Sequence, residues 1–250
     1  MKRTFLFTFL LFGLLYLPSQ AQTAEGVINQ YLEAIGGNKV LKKIDGMKMI
    51  GTFKQGEIEF PLEQVIFADG RQYAKITFVG NDYKQRVYDG ENFWSTSFET
   101  REAVLEDKEV LNNAKLNFND FPDALYRYQE KGYSVSILGK PQKFGREVYK
   151  LKVRKEDKMV EGVQQPDIAY YYIDVEKGIS LAQETIGTEG EMAGKVTTLR
   201  FFDYTDVGNG YMMPYRLVQE IDGKKIFELR LNSVEVNPSI PESEFTYPGK

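Results

Sequence analysis

The chain has 250 residues, 32 basic and 36 acidic, with a net charge of −4 and neither histidine nor cysteine. Without cysteine there is no disulfide framework and no thiol to carry a lipid. Without histidine, Ser-His and Cys-His nucleophilic catalysis are excluded and zinc loses its commonest ligand, while the mildly acidic balance argues against nucleic acid or anionic membrane as the main partner.

Lys2 and Arg3 precede an apolar run, Phe5 to Leu17, that ends in Pro18-Ser19-Gln20-Ala21 with small residues at its last and third-last places. This is the pattern of an export signal cleaved after Ala21. The run is too short for a stable anchor, and no second apolar stretch of about 18 residues follows, so a soluble exported protein is expected. Cleavage of residues 1–21 leaves 229 residues, 30 basic and 36 acidic, a net charge of −6. That size fits one large all-β domain over residues 22–250, and no repeat or low-complexity linker divides it.

Thr23 is placed to cap a helix in which Val27, Ile28, Tyr31, Leu32 and Ile35 recur at helical spacing until Gly36-Gly37 stops it. A shorter helical turn is expected over Lys39 to Ile44. From Asp45-Gly46 the pattern alternates, predicting strands at Met47–Lys54, Ile58–Phe67, Tyr73–Phe78, Lys84–Tyr88 and Phe93–Phe98, with Asp69-Gly70 and Asp89-Gly90 as turns. The alternation lapses between Ala103 and Gly132. There Phe121-Pro122-Asp123-Ala124-Leu125-Tyr126 predicts a short helix inside a long insertion of the kind that forms lids. Strands are expected again at Tyr133–Leu138, Arg146–Arg154, Ala169–Asp174, Ser180–Ile186, Lys195–Tyr204, Met213–Ile221 and Ile226–Val236. Tight turns between neighbours imply an antiparallel meander. About twelve strands are too many to lie flat, so the fold class is mainly β (α+β): a large curled sheet forming an incomplete barrel, with the N-terminal helix against its concave face and a short helical lid.

Carboxylate pairs such as Glu57/Glu59 and Asp203/Asp206 occur, but exposed strands carry such spacings routinely, and no phosphate loop, nucleophile elbow or metal-ligand spacing is present. The aromatic residues are more informative, with 16 tyrosines and 17 phenylalanines, many alternating along strands. In a narrow barrel these fill the core, and in a wider one they line an apolar cavity. The cavity candidates are Phe53, Phe60, Phe67, Tyr73, Phe78, Phe93, Trp94 and Leu125. In Tyr170-Tyr171-Tyr172 successive rings must face opposite sides. Arg71, directly after the Asp69-Gly70 turn, is either a solvated hairpin residue or a latch donating to the carbonyls of a lid.

Several of these features together resemble the LolA/LolB-like superfamily: Asp89-Gly90 with Phe93-Trp94, Asp203-Tyr204, Gly210-Tyr211-Met212-Met213-Pro214, and Glu244-Phe245-Thr246-Tyr247-Pro248. Tyr31-Leu32-Glu33-Ala34-Ile35-Gly36-Gly37 is similar to the opening of outer-membrane lipoprotein-sorting proteins. The resemblance implies a periplasmic carrier whose half-barrel cavity receives the acyl chains of lipoproteins. Such a carrier takes them from an inner-membrane release transporter and passes them to an outer-membrane acceptor, as a monomer without cofactor, metal or catalytic residues. It also implies a lid-latching arginine, for which Arg71 is the candidate. The absent cysteine separates this chain from the lipid-anchored acceptors. A lipid- or lipoprotein-sensing module of the same fold and an exported hydrolase using carboxylates are the alternative expectations.

Overall fold

The computed structural model describes residues 22–188 and 190–249. The expected export signal, residues 1–21, lies outside them. Helix α1 (Ala24–Ala34) begins at Thr23, whose side chain accepts a hydrogen bond from the Gly26 amide. It buries Val27, Ile28, Tyr31 and Leu32 on one face, as their spacing predicts. Helix α2 (Gly37–Leu41) follows and buries Leu41. The chain then enters β1 (Gly46–Gln55), β2 (Ile58–Phe67), β3 (Gln72–Phe78), β4 (Asn81–Tyr88), β5 (Phe93–Thr96) and β6 (Ala103–Leu105).

The helix of the insertion lies elsewhere than the sequence pattern suggests. Helix α3 spans Lys108–Phe118, and Asp107 caps it by accepting from the Val110 amide. Residues 121–126 run as turns and irregular backbone. The Asn-rich stretch supplies the helix because its apolar positions Val110, Leu111, Ala114 and Phe118 still keep helical spacing, a pattern that the intervening polar residues dilute.

After the insertion come β7 (Ser134–Ile137), β8 (Gln142–Lys143), β9 (Arg146–Arg154), the hairpin of β10 (Lys158–Val160) and β11 (Val163–Gln165), then β12 (Ile168–Asp174), β13 (Ser180–Ile186), β14 (Val196–Asp206), β15 (Met212–Ile221) and β16 (Lys224–Val236). The main sheet has 14 strands in the order β6-β5-β4-β3-β2-β1-β16-β15-β14-β13-β12-β9-β7, with β8 attached to β9. All pairings are antiparallel. The first and last long strands pair, from Met47 opposite Val236 to Lys54 opposite Glu228. The meander is thereby drawn into a ring with one open seam, whose edges β6 and β7 are joined by the α3 insertion. A β-bulge in β16 lets the strands stay paired as they bend. Gly51 is needed there, since a Cβ would lie 2.3 Å from the Arg230 carbonyl oxygen.

One buried cluster contains the α1 residues together with Met47 of β1 and Tyr149, Leu151 and Val153 of β9. Strands β1 and β9 are six steps apart, roughly 29 Å across a flat sheet at about 4.8 Å per strand. A helix of 11 residues is about 16 Å long. The sheet must therefore curl round α1, which makes the helix-bearing face the inner one.

The cross-strand partners assign every other residue to a face, because directly opposed residues in an antiparallel pair point the same way. Helix α3 packs on Tyr88 and Phe93, also on the inner face. Gly70, at φ +90°, turns the chain below it, and a Cβ there would collide with the Phe118 ring at 2.6 Å. The outer face carries a second core in which Val65, Tyr73, Val87 and Trp94 are covered by the C-terminal Phe245 and Tyr247. The Trp94 indole N–H donates to the Phe245 carbonyl at 3.1 Å, and burying the Phe245 ring stabilises this seat by about 1.5–3 kcal/mol.

Candidate ligand-binding site

The inner face is covered by α1 at one end and by α3 at one side, and between them it carries apolar side chains under neither helix. Phe53 opposes Phe60, Leu62 opposes Ile76, and Leu229 opposes both Phe53 and Leu217. Leu217 in turn opposes Phe201. These residues run across six adjacent strands, β3-β2-β1-β16-β15-β14, or about 24 Å along the sheet. All are partly accessible, and none belongs to the buried clusters beneath α1 or α3. Phe53 stacks on Phe60 with ring centres 5.0 Å apart and meets Phe227 at 4.8 Å, while Phe60 meets Phe78 edge-on at 6.3 Å. Phe78 remains 38% exposed. The result is an open apolar trough whose aromatic rings hold one another in place.

The β10–β11 hairpin is tied to α3. Asn113 donates to the Met159 carbonyl at 2.5 Å and accepts from its amide at 3.0 Å, and the Glu109 carboxylate accepts from the amides of Glu161 and Gly162 at 2.9 and 2.8 Å. The hairpin emerges between β9 and β12, and α3 follows the opposite edge strand β6, so the pair bridges the seam of the half-barrel.

Where the trough meets the α1 core there is a cavity of about 280 Å³. Its apolar lining includes Phe201, Met212 and Pro214, and its polar lining includes Tyr31, Asp123, Tyr171 and Gln183. The Tyr31 hydroxyl donates to Asp123 at 2.5 Å. Burial, and then the neighbouring Asp123, push the Tyr31 hydroxyl far above its ordinary value. Burial also raises the Asp123 carboxyl above the ordinary carboxylate range, against the opposing pull of Tyr31, the Leu125 amide and Lys131. Beside them Lys155 pairs with Asp120, which also accepts from Tyr133 at 2.9 Å. A larger cleft of about 620 Å³ lies between the end of α3 and the Asp69 turn, but its walls carry Asp69, Lys115, Arg127, Glu130 and Lys131, a lining unsuited to an apolar chain.

The residues expected to line a cavity divide by face. Phe53, Phe60 and Phe78 lie in the trough. Phe93 is on the inner face but sealed beneath α3, and Leu125 is wholly buried in the α1 core. Phe67, Tyr73 and Trp94 are on the outer face under the C-terminal segment, away from the trough. Phe93 and Trp94 are chain neighbours in one strand, so they cannot share a face. Arg71 is partly exposed and donates to no lid carbonyl. It pairs with Asp69 at 2.8 Å and Glu242 at 3.3 Å and lies over the rings of Phe67 and Phe245, clasping the C-terminal segment instead. Absent from the expected set are Leu62 and Ile76, and Phe201, Leu217, Phe227 and Leu229 of the last three strands. Their alternation was readable, but only the register with β1 brings them to the same floor.

None of the four carboxylates in the two pairs lines the cavity at the α1 core. Glu57 and Glu59 are exposed, Asp203 pairs with Arg216 at 2.9 Å, and Asp206 accepts from the amides of Gly208 and Gly210. Among the described residues no three acidic side chains are grouped to hold a metal ion, and no helix is long and apolar enough to cross a membrane.

No family model matches the chain, and no curated protein matches it in sequence. Solved structures do match in fold. A LolA superfamily protein from Nitrosomonas europaea superposes with a TM-score of 0.55 at 13% identity, covering 90% of this chain and 97% of its own. A putative outer membrane lipoprotein-sorting protein domain from Vibrio parahaemolyticus gives 0.52 at 13% identity, covering 88% and 95%. A DUF1329 family protein from Desulfovibrio piger gives 0.56 at 9% identity, covering 90% and 98%. With its ring of antiparallel strands open at one seam and helices inside the curl, the chain has the LolA-like fold.

Proposed function

We propose that the protein is an exported, soluble carrier that holds the acyl chain of a lipoprotein or another lipid in the inner-face trough and releases it at the outer membrane, without covalent chemistry. The observation that carries this reading is the strip of partly accessible apolar side chains from Phe201 to Phe78, on the concave face of a sheet that stays open. Water against that surface is displaced favourably by hydrocarbon, at about 0.8 kcal/mol for each methylene buried. The LolA-like fold and the export-signal pattern both support the same reading, with the periplasm as the proposed location.

The test is to purify residues 22–250, extract with organic solvent and analyse the extract by mass spectrometry. An acylated molecule in stoichiometric amount is expected. An empty extract, combined with no binding of a fluorescent fatty-acid probe by the extracted protein, overturns the carrier reading.

A further inference from the structure

The cavity beside α1 contains polar groups that the fold itself leaves without partners. Tyr171 is only 5% exposed and lines the cavity, yet its hydroxyl makes no hydrogen bond, unlike that of Tyr31 or Tyr204 in the same wall. Opposite it in register on β13 is Gln183, whose side-chain amide also makes none. A nearly buried hydroxyl without a protein partner is unfavourable by of order 1–3 kcal/mol when nothing else bonds it, so Tyr171, with the half-buried Gln183 beside it on the same cavity, marks a place where a ligand supplies bonds that the fold does not. Both residues sit at the end of the trough. Gln183 opposes Leu199, and Phe201, two residues further along β14, opposes Leu217.

The charges nearby cancel. Asp120 is paired with Lys155, and Asp123 lies near Lys131, whose ammonium group donates to the Asp123 backbone carbonyl at 2.9 Å. With the two carboxylates offset by the two lysines, the wall carries no net charge to attract either an anionic or a cationic head. The free groups, one hydroxyl and one primary amide, both donate and accept, which suits ester, amide or hydroxyl oxygens.

We infer that this cavity is the head-group subsite of an amphiphile with an uncharged, hydrogen-bonding head, held by Tyr171 and Gln183 while its chain lies along the trough. The inference rests on the trough reading proposed above and adds to it a selection by head group.

Four ligands share one oleoyl chain: monooleoylglycerol and oleoylethanolamide are neutral, through an ester and an amide, whereas oleate and lysophosphatidate are anionic. A fifth probe, 1-N-phenylnaphthylamine, is apolar and reports the trough alone. Residues 22–250 are expected to bind both neutral-headed ligands roughly tenfold more tightly than the anionic pair. Tyr171→Phe and Gln183→Leu should each weaken neutral-head binding several-fold, and together about tenfold, while naphthylamine affinity stays within a factor of about two. A preference for the ester over the amide, or the reverse, names the head chemistry. Naphthylamine binding with equal or tighter binding of the anionic ligands, or with neutral-head affinity unchanged in both variants, overturns the subsite and leaves the trough standing. No naphthylamine binding by the unaltered protein overturns both. If a variant fails to fold, the ranking of the four ligands by the unaltered protein decides.

Discussion

Tyr31→Phe removes one oxygen from the middle of the α1 core and changes no shape. The lost hydroxyl donates at 2.5 Å to the buried carboxylate of Asp123, which keeps the Leu125 amide at 2.8 Å. A hydrogen bond to a charged group contributes about 1.5–3 kcal/mol, so a loss of that size is expected near neutral pH. For a chain of this length each kcal/mol lowers the melting temperature by about 2–4 °C. The loss should also depend on pH, with a definite sign. Burial raises the Asp123 carboxyl above its ordinary value, and the Tyr31 bond opposes that rise. Removing the bond raises the folded-state value further. A group raised in the folded state contributes stability below its unfolded value and loses it as pH climbs through the folded one, so the penalty of Tyr31→Phe is larger at pH 7 than at pH 4. Urea melts of both proteins at the two pH values measure it. Equal losses at both, or a larger loss at pH 4, refute the assignment of a buried, reluctantly ionised Asp123. In Asp123→Asn the same tyrosine substitution should lose its pH dependence.

Other consequences are simpler to read. Thr23→Ala removes the side-chain cap of α1 and should cost about 1 kcal/mol, seen as a lower denaturation midpoint with an unchanged slope. Arg71→Ala should lower stability by about 1–2 kcal/mol, through lost ion pairs and ring contacts, and leave apolar-probe affinity unchanged. Altered affinity would restore the lid-latch role. Glu184, nearly buried on the outer face, is pushed up by desolvation but held below its ordinary value by bonds from Lys143 at 2.6 Å and from Tyr172. A depressed carboxylate contributes stability that is lost as pH falls through its folded value, so Glu184→Gln should be less stable than the parent at pH 7 and the difference should shrink below about pH 4.5. A constant difference across that range would contradict it.

The meander, its turns and the amphipathic α1 were legible because each is written in local pattern: alternation, Asp-Gly pairs, and apolar residues at helical spacing. The pairing of β1 with β16 was not, since nothing in either strand names a partner about 180 residues away. That single contact carries Phe227 and Leu229 to Phe53, so half the trough lay hidden until register was known. Phe67, Tyr73 and Trp94 looked like cavity residues for the same reason. Alternation shows that a strand has two faces, and only the docking of Phe245 and Tyr247 decides which face is covered by the tail. The insertion misled through Pro122, a helix-start signal in a segment that forms turns, while Asp107 capped a helix diluted by asparagines. Tyr171 and Gln183 carried no signal at all, because their meaning lies in bonds they do not make.

Thr52 and Phe53 are chain neighbours on opposite faces of β1, and they separate trough binding from any general effect of a new charge. Titrating a fluorescent fatty-acid probe into the parent, Phe53→Asp and Thr52→Asp, below the melting transition of all three, tests the carrier account most directly. Saturable binding by the parent, weakened at least tenfold in Phe53→Asp and unchanged in Thr52→Asp, is the predicted result. No binding by the parent, or equal effects of the two substitutions, would contradict it.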